Sequence, residues 1–406
     1  MRALIRPGTA RGIVQAPPSK SMAHRLLICA ALAKSESFVR GVDRSEDILA
    51  TADCLTALGA SLAWEGTAVR VRGCDPRKAS PAVLRCRESG STLRFMIPLC
   101  LLSGNAMRLE GSETLLSRPL SVYEDLCREQ GLTLRRTDGG LLAEGCLSPG
   151  EYAVPGSISS QFITGLLFAL PLLPDDSCIR LIPPVESRSY LSLTLQALQD
   201  AGIFVSRADE HTLLVPGNAS YHARNTEVEG DYSNAAFFEA LNCAGGNVTV
   251  TGLRTDSLQG DRVYREYFTR LSVGPAELDL TDCPDLAPVL FAAAALCRGA
   301  VFTGTRRLRF KESDRGAAMA EEMSKFGVNL TLEENRITVP AAALRAPSEP
   351  LDSHNDHRIA MALSLLCTRT GGKIRGAEAV RKSFPDYWDR LRSLGIDIIL
   401  SPGSDE

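Results

Sequence analysis

The 406-residue chain lacks several signals whose absence narrows its function. No apolar run is long enough to cross a bilayer: the most apolar stretches, Leu26 to Ala33 and Phe162 to Leu173, are short or interrupted. The first residues, Met1 to Gly12, hold arginines but no apolar core, so no secretory signal is expected. No C-x-x-C occurs among the 12 cysteines. The closest pair is Cys74 and Cys86, and Cys29, Cys100, Cys297 and Cys367 lie inside apolar segments. That spacing argues against a disulfide framework and a zinc site, and fits a reducing, cytoplasmic compartment. A strong excess of either charge is also missing: 45 Lys and Arg against 48 Asp and Glu leave a net charge of −3, which argues against a general nucleic-acid binder. Neither a G-x-G-x-x-G nor a P-loop is present, so no nucleotide cofactor is expected. His354 and His357 form an H-x-x-H with no further histidine nearby, and no metal is expected there.

What remains is an ordinary globular composition, 44% hydrophobic and 23% charged, long enough for two or three domains. One pattern recurs along it: an amphipathic helix, a glycine, then an alternating apolar strand. The glycines are Gly59, Gly131, Gly202, Gly327 and Gly395, with a degraded copy at Gly274. Most neighbours lie about 70 residues apart, an internal repeat. Glycine suits the position just past a helix, where the backbone turns left-handed. Six helix-then-strand units predict a pseudo-repeated α/β architecture of two domains with three units each. For Gly202 the strand is expected directly after it, at Ile203 to Val205.

A second set of helix starts lies between these glycines. Ser19, Lys20, Ser21 and Arg25 lead into Leu26 to Ala33, with Ser21 expected to cap. Ser89-Gly90 and Arg94 open Phe95 to Leu102, and Ser159-Ser160-Gln161 open Phe162 to Leu170. Pro284-Asp285 open Leu286 to Cys297, with Pro284 suited to the first helical position. Asn355 to Arg358 open Ile359 to Cys367. The densest cluster is Lys311-Glu312-Ser313-Asp314-Arg315, between an expected strand, Ala300 to Thr305, and an expected helix, Gly316 to Phe326. Ser313 is the expected cap there. Helices this apolar are buried, so their starts are expected to face a shared crevice. Free N–H groups, helix dipoles and guanidinium forks gathered there suit a substrate with several phosphate or carboxylate groups. Asp285 and Glu312 are then the carboxylates available for proton transfer.

At these residues the chain resembles the 3-phosphoshikimate 1-carboxyvinyltransferase (5-enolpyruvylshikimate-3-phosphate synthase) family. The likeness runs from about Pro7 to Trp388. Its marks are Ser19-Lys20-Ser21 with Arg25, Ser89-Gly90-Ser91-Thr92 with Arg94, Arg118-Pro119, Ser159-Ser160-Gln161 and Pro284-Asp285. Lys311 to Arg315, Asn355 to Arg358 and Lys382 to Tyr387 complete them. The resemblance implies an enolpyruvyl transferase fold: two domains of three βαβαββ units each, with helix N-termini facing an interdomain cleft. One domain would be discontinuous, residues 1–17 plus 230–406, and the other, 18–229, inserted into it. It implies a monomer whose partners are two small substrates, shikimate 3-phosphate and phosphoenolpyruvate, with no cofactor, metal, nucleic acid or membrane.

The same resemblance assigns roles. Lys20, Ser21, Arg25, Ser159, Ser160, Ser187, Asp285 and Lys311 would hold shikimate 3-phosphate, with Tyr190 against its ring. Lys20, Gly90, Arg118, Arg315, Arg358 and Lys382 would surround phosphoenolpyruvate, and Gln161 would lie between the ligands. Asp285, Glu312 and Lys20 would carry the proton transfers of an addition–elimination. Two positions depart from the family pattern: Glu88 stands where Asn is expected, close to an anionic substrate, and His24 where Asn is common. The related UDP-N-acetylglucosamine enolpyruvyl transferases would carry Lys-Asn in place of Lys20-Ser21 and a reactive cysteine before Arg118; Glu110 to Ser117 contains none. RNA 3′-phosphate cyclases, which share related folding units, would need nucleotide chemistry that is not found here. A non-catalytic phosphosugar-binding relative would have lost Lys20, Asp285 or Glu312.

Overall fold

A computed structural model describes residues 1–403. The chain divides into two compact units: Met1–Pro17 together with the chain from Gly230 onward, and Pro18–Glu229. Each has its own hydrophobic core.

The inserted unit, Pro18–Glu229, holds three four-stranded sheets of one design. In one, Val83–Arg85 runs parallel to Met107–Glu110, which pairs antiparallel with Gly140–Glu144, which pairs in turn with Thr133–Thr137. The Gly90–Cys100 helix makes the parallel crossover, and Ser121–Glu129 leads into the hairpin. The second sheet repeats this with Glu151–Pro155, Ser177–Ile182, Thr212–Val215 and Ser206–Asp209. The third is closed by its last strand in sequence: Asn225–Glu227 lies parallel to Glu36–Arg40, beyond which come Ala68–Arg72 and Ser61–Glu65. Parallel neighbours require a crossover, and here helices supply it.

Three apolar helices, Lys20–Leu32, Gly90–Cys100 and Ser160–Ala169, run through this core. Each fully buried Leu or Phe on them contributes about 1.5–3 kcal/mol. Gly165 sets the closest approach between the last two. A Cβ there would meet the Arg94 carbonyl at 2.5 Å. The buried Tyr123 hydroxyl donates within reach of the Arg94 and Phe162 carbonyls, at 2.9 and 3.0 Å.

The discontinuous unit has two such sheets and a shorter third. Ala276–Asp279, Ala300–Thr303, Arg336–Val339 and Thr331–Leu332 form one. Leu351–Asp352 and Gly372–Arg375 are completed by Arg2–Ile5 from the start of the chain and by Ile398–Ser401. In the third, Arg11–Gln15 pairs only with Asn247–Thr251, so among the described residues this unit keeps the parallel half of the βαβαββ pattern without the hairpin.

The turn glycines behave as expected at five positions. Gly59, Gly131, Gly202, Gly327 and Gly395 have φ between 67° and 110°. Gly274 differs: its φ of −174° is extended backbone. The strand after Gly202 begins at Ser206 rather than at Ile203, because Ile203 is drawn into the core and its N–H bonds back to the Leu198 carbonyl. Two caps also differ. Ser19, not Ser21, caps the Lys20–Leu32 helix, accepting from the Met22 N–H at 3.3 Å. Asp314, not Ser313, caps the Arg315–Lys325 helix, accepting from Ala317.

Candidate functional site

In the inserted unit the helix starts are knitted together by buried polar chains. His24 Nδ1, Thr51 Oγ1 and Thr92 Oγ1 follow one another at 2.7 Å spacings, and Thr92 donates onward to the capping Ser89 at 2.8 Å. This accounts for His24. Burial, with Lys20 and Arg25 close by, pushes its imidazole well below the usual range and keeps it neutral. Lys20 opens its helix and pairs with Asp47 at 2.6 Å. Asp47 lies in the first turn of the Glu46–Ala57 helix and had no role in the sequence reading, because the partner is 27 residues away.

Arg25 is 3% exposed yet meets only neutral acceptors: Thr194 Oγ1 at 2.9 Å and the carbonyls of Ser21 and Tyr190 at 2.6 and 3.0 Å. Among the described residues no carboxylate pairs with it. Burial lowers the guanidinium to about 10, the direction expected of a cation short of countercharge. Tyr190 lies two residues into the Arg188–Asp200 helix, whose preceding residue Ser187 is buried at a left-handed φ of 55°. Non-glycine residues hold that conformation only when their surroundings dictate it.

Around Gly90 the backbone lets an arginine close in. A Cβ at Gly90 would stand 2.6 Å from Arg118 Nη1. Arg118 Nε is buried and makes no hydrogen bond among the described residues. Ser159 caps the Ser160–Ala169 helix through the Gln161 N–H, and Ser160 is buried in its first turn. The Gln161 amide bridges two helix starts, accepting from Arg94 at 2.6 Å and donating to Ser91 at 2.9 Å. Glu88 is half-buried just before the Ser89 cap. The inserted unit thus brings Lys20, Ser21, Arg25 and Tyr190 into one neighbourhood and Gly90 with Arg118 into another.

The discontinuous unit arranges its charges differently. Arg315, 1% exposed, faces three carboxylates: Asp356 Oδ2 at 2.9 Å from Nε, Asp285 Oδ1 at 2.8 Å from Nη1, and Glu312 Oε2 at 2.6 Å from Nη2. Asp285 also receives Lys311 at 3.0 Å and Arg358 at 3.3 Å. Burial would push the Asp285 carboxyl up, but Arg358, Lys311 and Arg315 outweigh it and hold it well below the usual carboxylate range. Lys311 is pushed down by burial and by Arg315 and Arg307, despite Asp285 and Glu312. Ser313, relieved of capping, donates to Asp356 at 3.1 Å.

Asp356 is fully buried and caps the His357–Thr370 helix through the Arg358 N–H at 2.9 Å. It is the organising acid that sequence reasoning passed over, although it stands inside the Asn355 to Arg358 mark. Lys382 donates to the Asn355 carbonyl. The two histidines of the H-x-x-H part company, His354 toward Glu322 and His357 buried against Asp356. A further acid, Asp261, is buried near Asp285 and Asp231. Burial and those two charges raise its carboxyl to about 7 despite Arg358. All six predicted residues of this unit meet around Asp285 or Asp356, either directly or, for Glu312 and Lys382, through Arg315 and Asn355.

Comparison with known proteins places the chain among enolpyruvyl transferases. It matches the family described as EPSP synthase (3-phosphoshikimate 1-carboxyvinyltransferase) over residues 5–391. The 3-phosphoshikimate 1-carboxyvinyltransferase of Clostridium beijerinckii is 37% identical, covering 96% of this chain and 97% of the relative. That of Clostridium perfringens strain SM101 is 38% identical, covering 97% and 98%. An EPSP synthase structure from Acinetobacter baumannii superposes with a TM-score of 0.79 over 98% of this chain and 100% of that one, at 23% identity.

Proposed function

The chain belongs to the EPSP synthase (3-phosphoshikimate 1-carboxyvinyltransferase) family, and from that premise we propose how its own residues move the enolpyruvyl group. The reaction joins the 5-hydroxyl oxygen of shikimate 3-phosphate to C2 of phosphoenolpyruvate and releases phosphate. The hydroxyl loses its proton and C3 gains one, giving a tetrahedral adduct. That adduct then gives up a C3 proton as the C2–O bond to phosphate breaks.

The observation that carries the residue assignment is the fork of Arg315. Its two Nη atoms hold Asp285 and Glu312 at 2.8 and 2.6 Å, so the two acids proposed for the opposite proton transfers share one rigid anchor. Asp285 takes the hydroxyl proton and Glu312 serves C3. At rest Asp285 is crowded by three cations and is a poor base. The phosphate and carboxylate groups of the substrates compete for those cations, and this competition restores its basicity. Lys311, already pushed down by burial, exchanges a proton more readily than an exposed lysine.

Arg25, Ser21, Lys20, Ser159, Ser160, Ser187, Tyr190, Gln161, Asp285 and Lys311 are proposed to hold shikimate 3-phosphate. Arg25 supports this best, since a buried cation with only neutral acceptors gains most from an arriving anion. Lys20, Gly90, Gln161, Arg118, Arg315, Arg358 and Lys382 are proposed for phosphoenolpyruvate, with Lys20 also sharing the proton traffic. Arg315 reaches that substrate chiefly by holding its neighbours, because its own donors are engaged. The chain is read as a cytoplasmic monomer; all 12 cysteines are free, which fits a reducing compartment, and no described helix is long and apolar enough to cross a membrane.

The test is phosphate release from a mixture of the chain with both substrates, with ³¹P NMR of the product. Release that requires both substrates and yields a new enol ether is the expected result. Binding of shikimate 3-phosphate without release would remove the transfer reaction.

A further inference from the structure

Glu322 lies seven residues beyond Arg315 on the Arg315–Lys325 helix, and its carboxylate is fully buried. A charge in that position is costly unless every lone pair is occupied. Here Lys325 Nζ reaches both oxygens at 2.9 and 3.0 Å, the Asp352 N–H donates to Oε2 at 2.9 Å, and His354 Nε2 stands 3.3 Å from Oε1. Two of these four contacts come from the turn that precedes the His357–Thr370 helix.

That turn is conformationally expensive. His354 and Asn355 are consecutive non-glycine residues at φ of 49° and 51°. Such residues cost on the order of 1–3 kcal/mol each and persist only where contacts over-determine them. Asp352 Oδ1 accepts from the His354 N–H at 2.6 Å and Ser353 Oγ from the Asn355 N–H at 3.2 Å. Glu322 supplies the ties to the neighbouring helix. From the same turn, the Asn355 carbonyl receives Lys382, and Asp356 receives Arg315 and caps the helix that carries Arg358.

We propose that Glu322, with His354, is a positioning residue for the phosphoenolpyruvate-binding cations: it locks the turn at residues 352–355 and thereby sets Arg315, Arg358 and Lys382. This rests on the assignment of those three cations in the preceding subsection. Glu321, Glu322 and His354 also bring one ligand atom each within 4.8 Å of one another, but the Lys325 ammonium already spans both Glu322 oxygens and Glu321 is 63% exposed. The cluster is a charge hub closed by a lysine.

The hub is sensitive to pH. The ionisable groups that face His354 are Glu322 and Glu321 from the helix and Asp352 from the turn, with Lys325 bonded to the same Glu322 carboxylate. The hydrogen bond to Glu322 raises the imidazole above its ordinary 6.5 in spite of burial, and Asp352 and Glu321 add to this. Burial would raise Glu322, but the bonds from His354, Lys325 and the Asp352 amide hold it below 4.5. The contribution of protonated His354 is complete below 6.5 and is lost as pH rises through its raised folded value. That of Glu322 is lost as pH falls through its lowered value.

The experiment compares the full chain with Glu322→Gln and His354→Gln in phosphate release from pH 6 to 9, alongside hydrogen exchange. Glu322→Gln keeps shape and removes charge; its KM for phosphoenolpyruvate is expected to rise about tenfold (~1.4 kcal/mol) while that for shikimate 3-phosphate stays within about twofold. In the wild-type chain the phosphoenolpyruvate KM is expected to climb as His354 loses its proton, and His354→Gln is expected to flatten this climb. Equal movement of both KM values, or a melting-temperature loss with both KM values unchanged, would overturn the proposal. Should the wild-type chain release no phosphate, the transfer reaction fails by itself and exchange decides the positioning role. Faster exchange in Glu322→Gln confined to residues 353–358 supports it, and uniform loss along the 315–325 helix as well counts against it.

Discussion

Arg25 and Arg315 are both buried guanidiniums, and they do opposite things. Arg25 in the inserted unit is met by a hydroxyl and two carbonyls, and no carboxylate among the described residues compensates its charge. Arg315 in the discontinuous unit is met by three carboxylates, so its charge is spent on orienting acids. A buried cation with neutral partners favours an incoming anion, whereas one with anionic partners builds a rigid frame. On the roles proposed above, the contrast divides the chemistry as well: Arg25 and Arg118 are proposed to capture substrate charge, and the acids that Arg315 holds are proposed to carry proton transfer.

The sharpest way to break this division is to remove a framed acid. Asp285→Asn preserves shape and should lower kcat by roughly 10²–10⁴-fold, the usual worth of an acid–base group. Steady-state phosphate release by the variant, shown to be folded by its circular dichroism, would measure it. The next test sets the two arginines against each other by replacing each with Met. Arg315→Met leaves Asp285, Glu312 and Asp356 without their common partner and should cost about 3–5 kcal/mol in denaturant unfolding. Arg25→Met should cost less stability but weaken shikimate 3-phosphate binding by about 10–100-fold, the worth of about 1.5–3 kcal/mol for a charged hydrogen bond. If calorimetry gave the two variants equal stability losses, the contrast would collapse.

Gly90→Ala is a milder probe. Its Cβ would press on the far end of a flexible Arg118 side chain, so the phosphoenolpyruvate KM should rise by less than about tenfold (~1.4 kcal/mol) with folding unaffected. The smallest effect is expected at Asp261, whose carboxyl is raised to about 7. A raised acid binds its proton more tightly in the folded state, so stability falls as pH rises from about 4 to 7. Asp261→Asn should therefore raise the melting temperature at pH 8 more than at pH 5. A uniform shift across both would show that Asp261 does not titrate in that window.

Much of this arrangement is legible in the chain because it is local. The glycines after helices at 59, 131, 202, 327 and 395 need a left-handed backbone within one turn of the residues that announce it. Helix starts such as Ser159 and Ser89 follow the same short-range logic. The misreadings are non-local. Ser19 and Ser21 are equally good caps by composition; Ser19 takes the role with its N–H bonded to the Glu229 carbonyl, more than 200 residues away. Ser313 and Asp314 are likewise interchangeable until Asp356 claims the serine hydroxyl. The Lys20–Asp47 pair and the Asp356 hub had no spacing to betray them, since each joins separate elements. Gly274 shows the limit of periodicity, because a residue at the right interval can still be extended.

The strand Arg2–Ile5 lies between Gly372–Arg375 and Ile398–Ser401. During synthesis it therefore emerges from the ribosome 367 residues (5 to 372) before its first neighbour exists. At about 5–20 residues per second that is a wait of roughly 20–70 s. The inserted unit, by contrast, has all its strands once Glu227 is made. Translation thus delivers one self-sufficient body early, while the other holds a strand without neighbours until Gly372–Arg375 and then Ile398–Ser401 have been made.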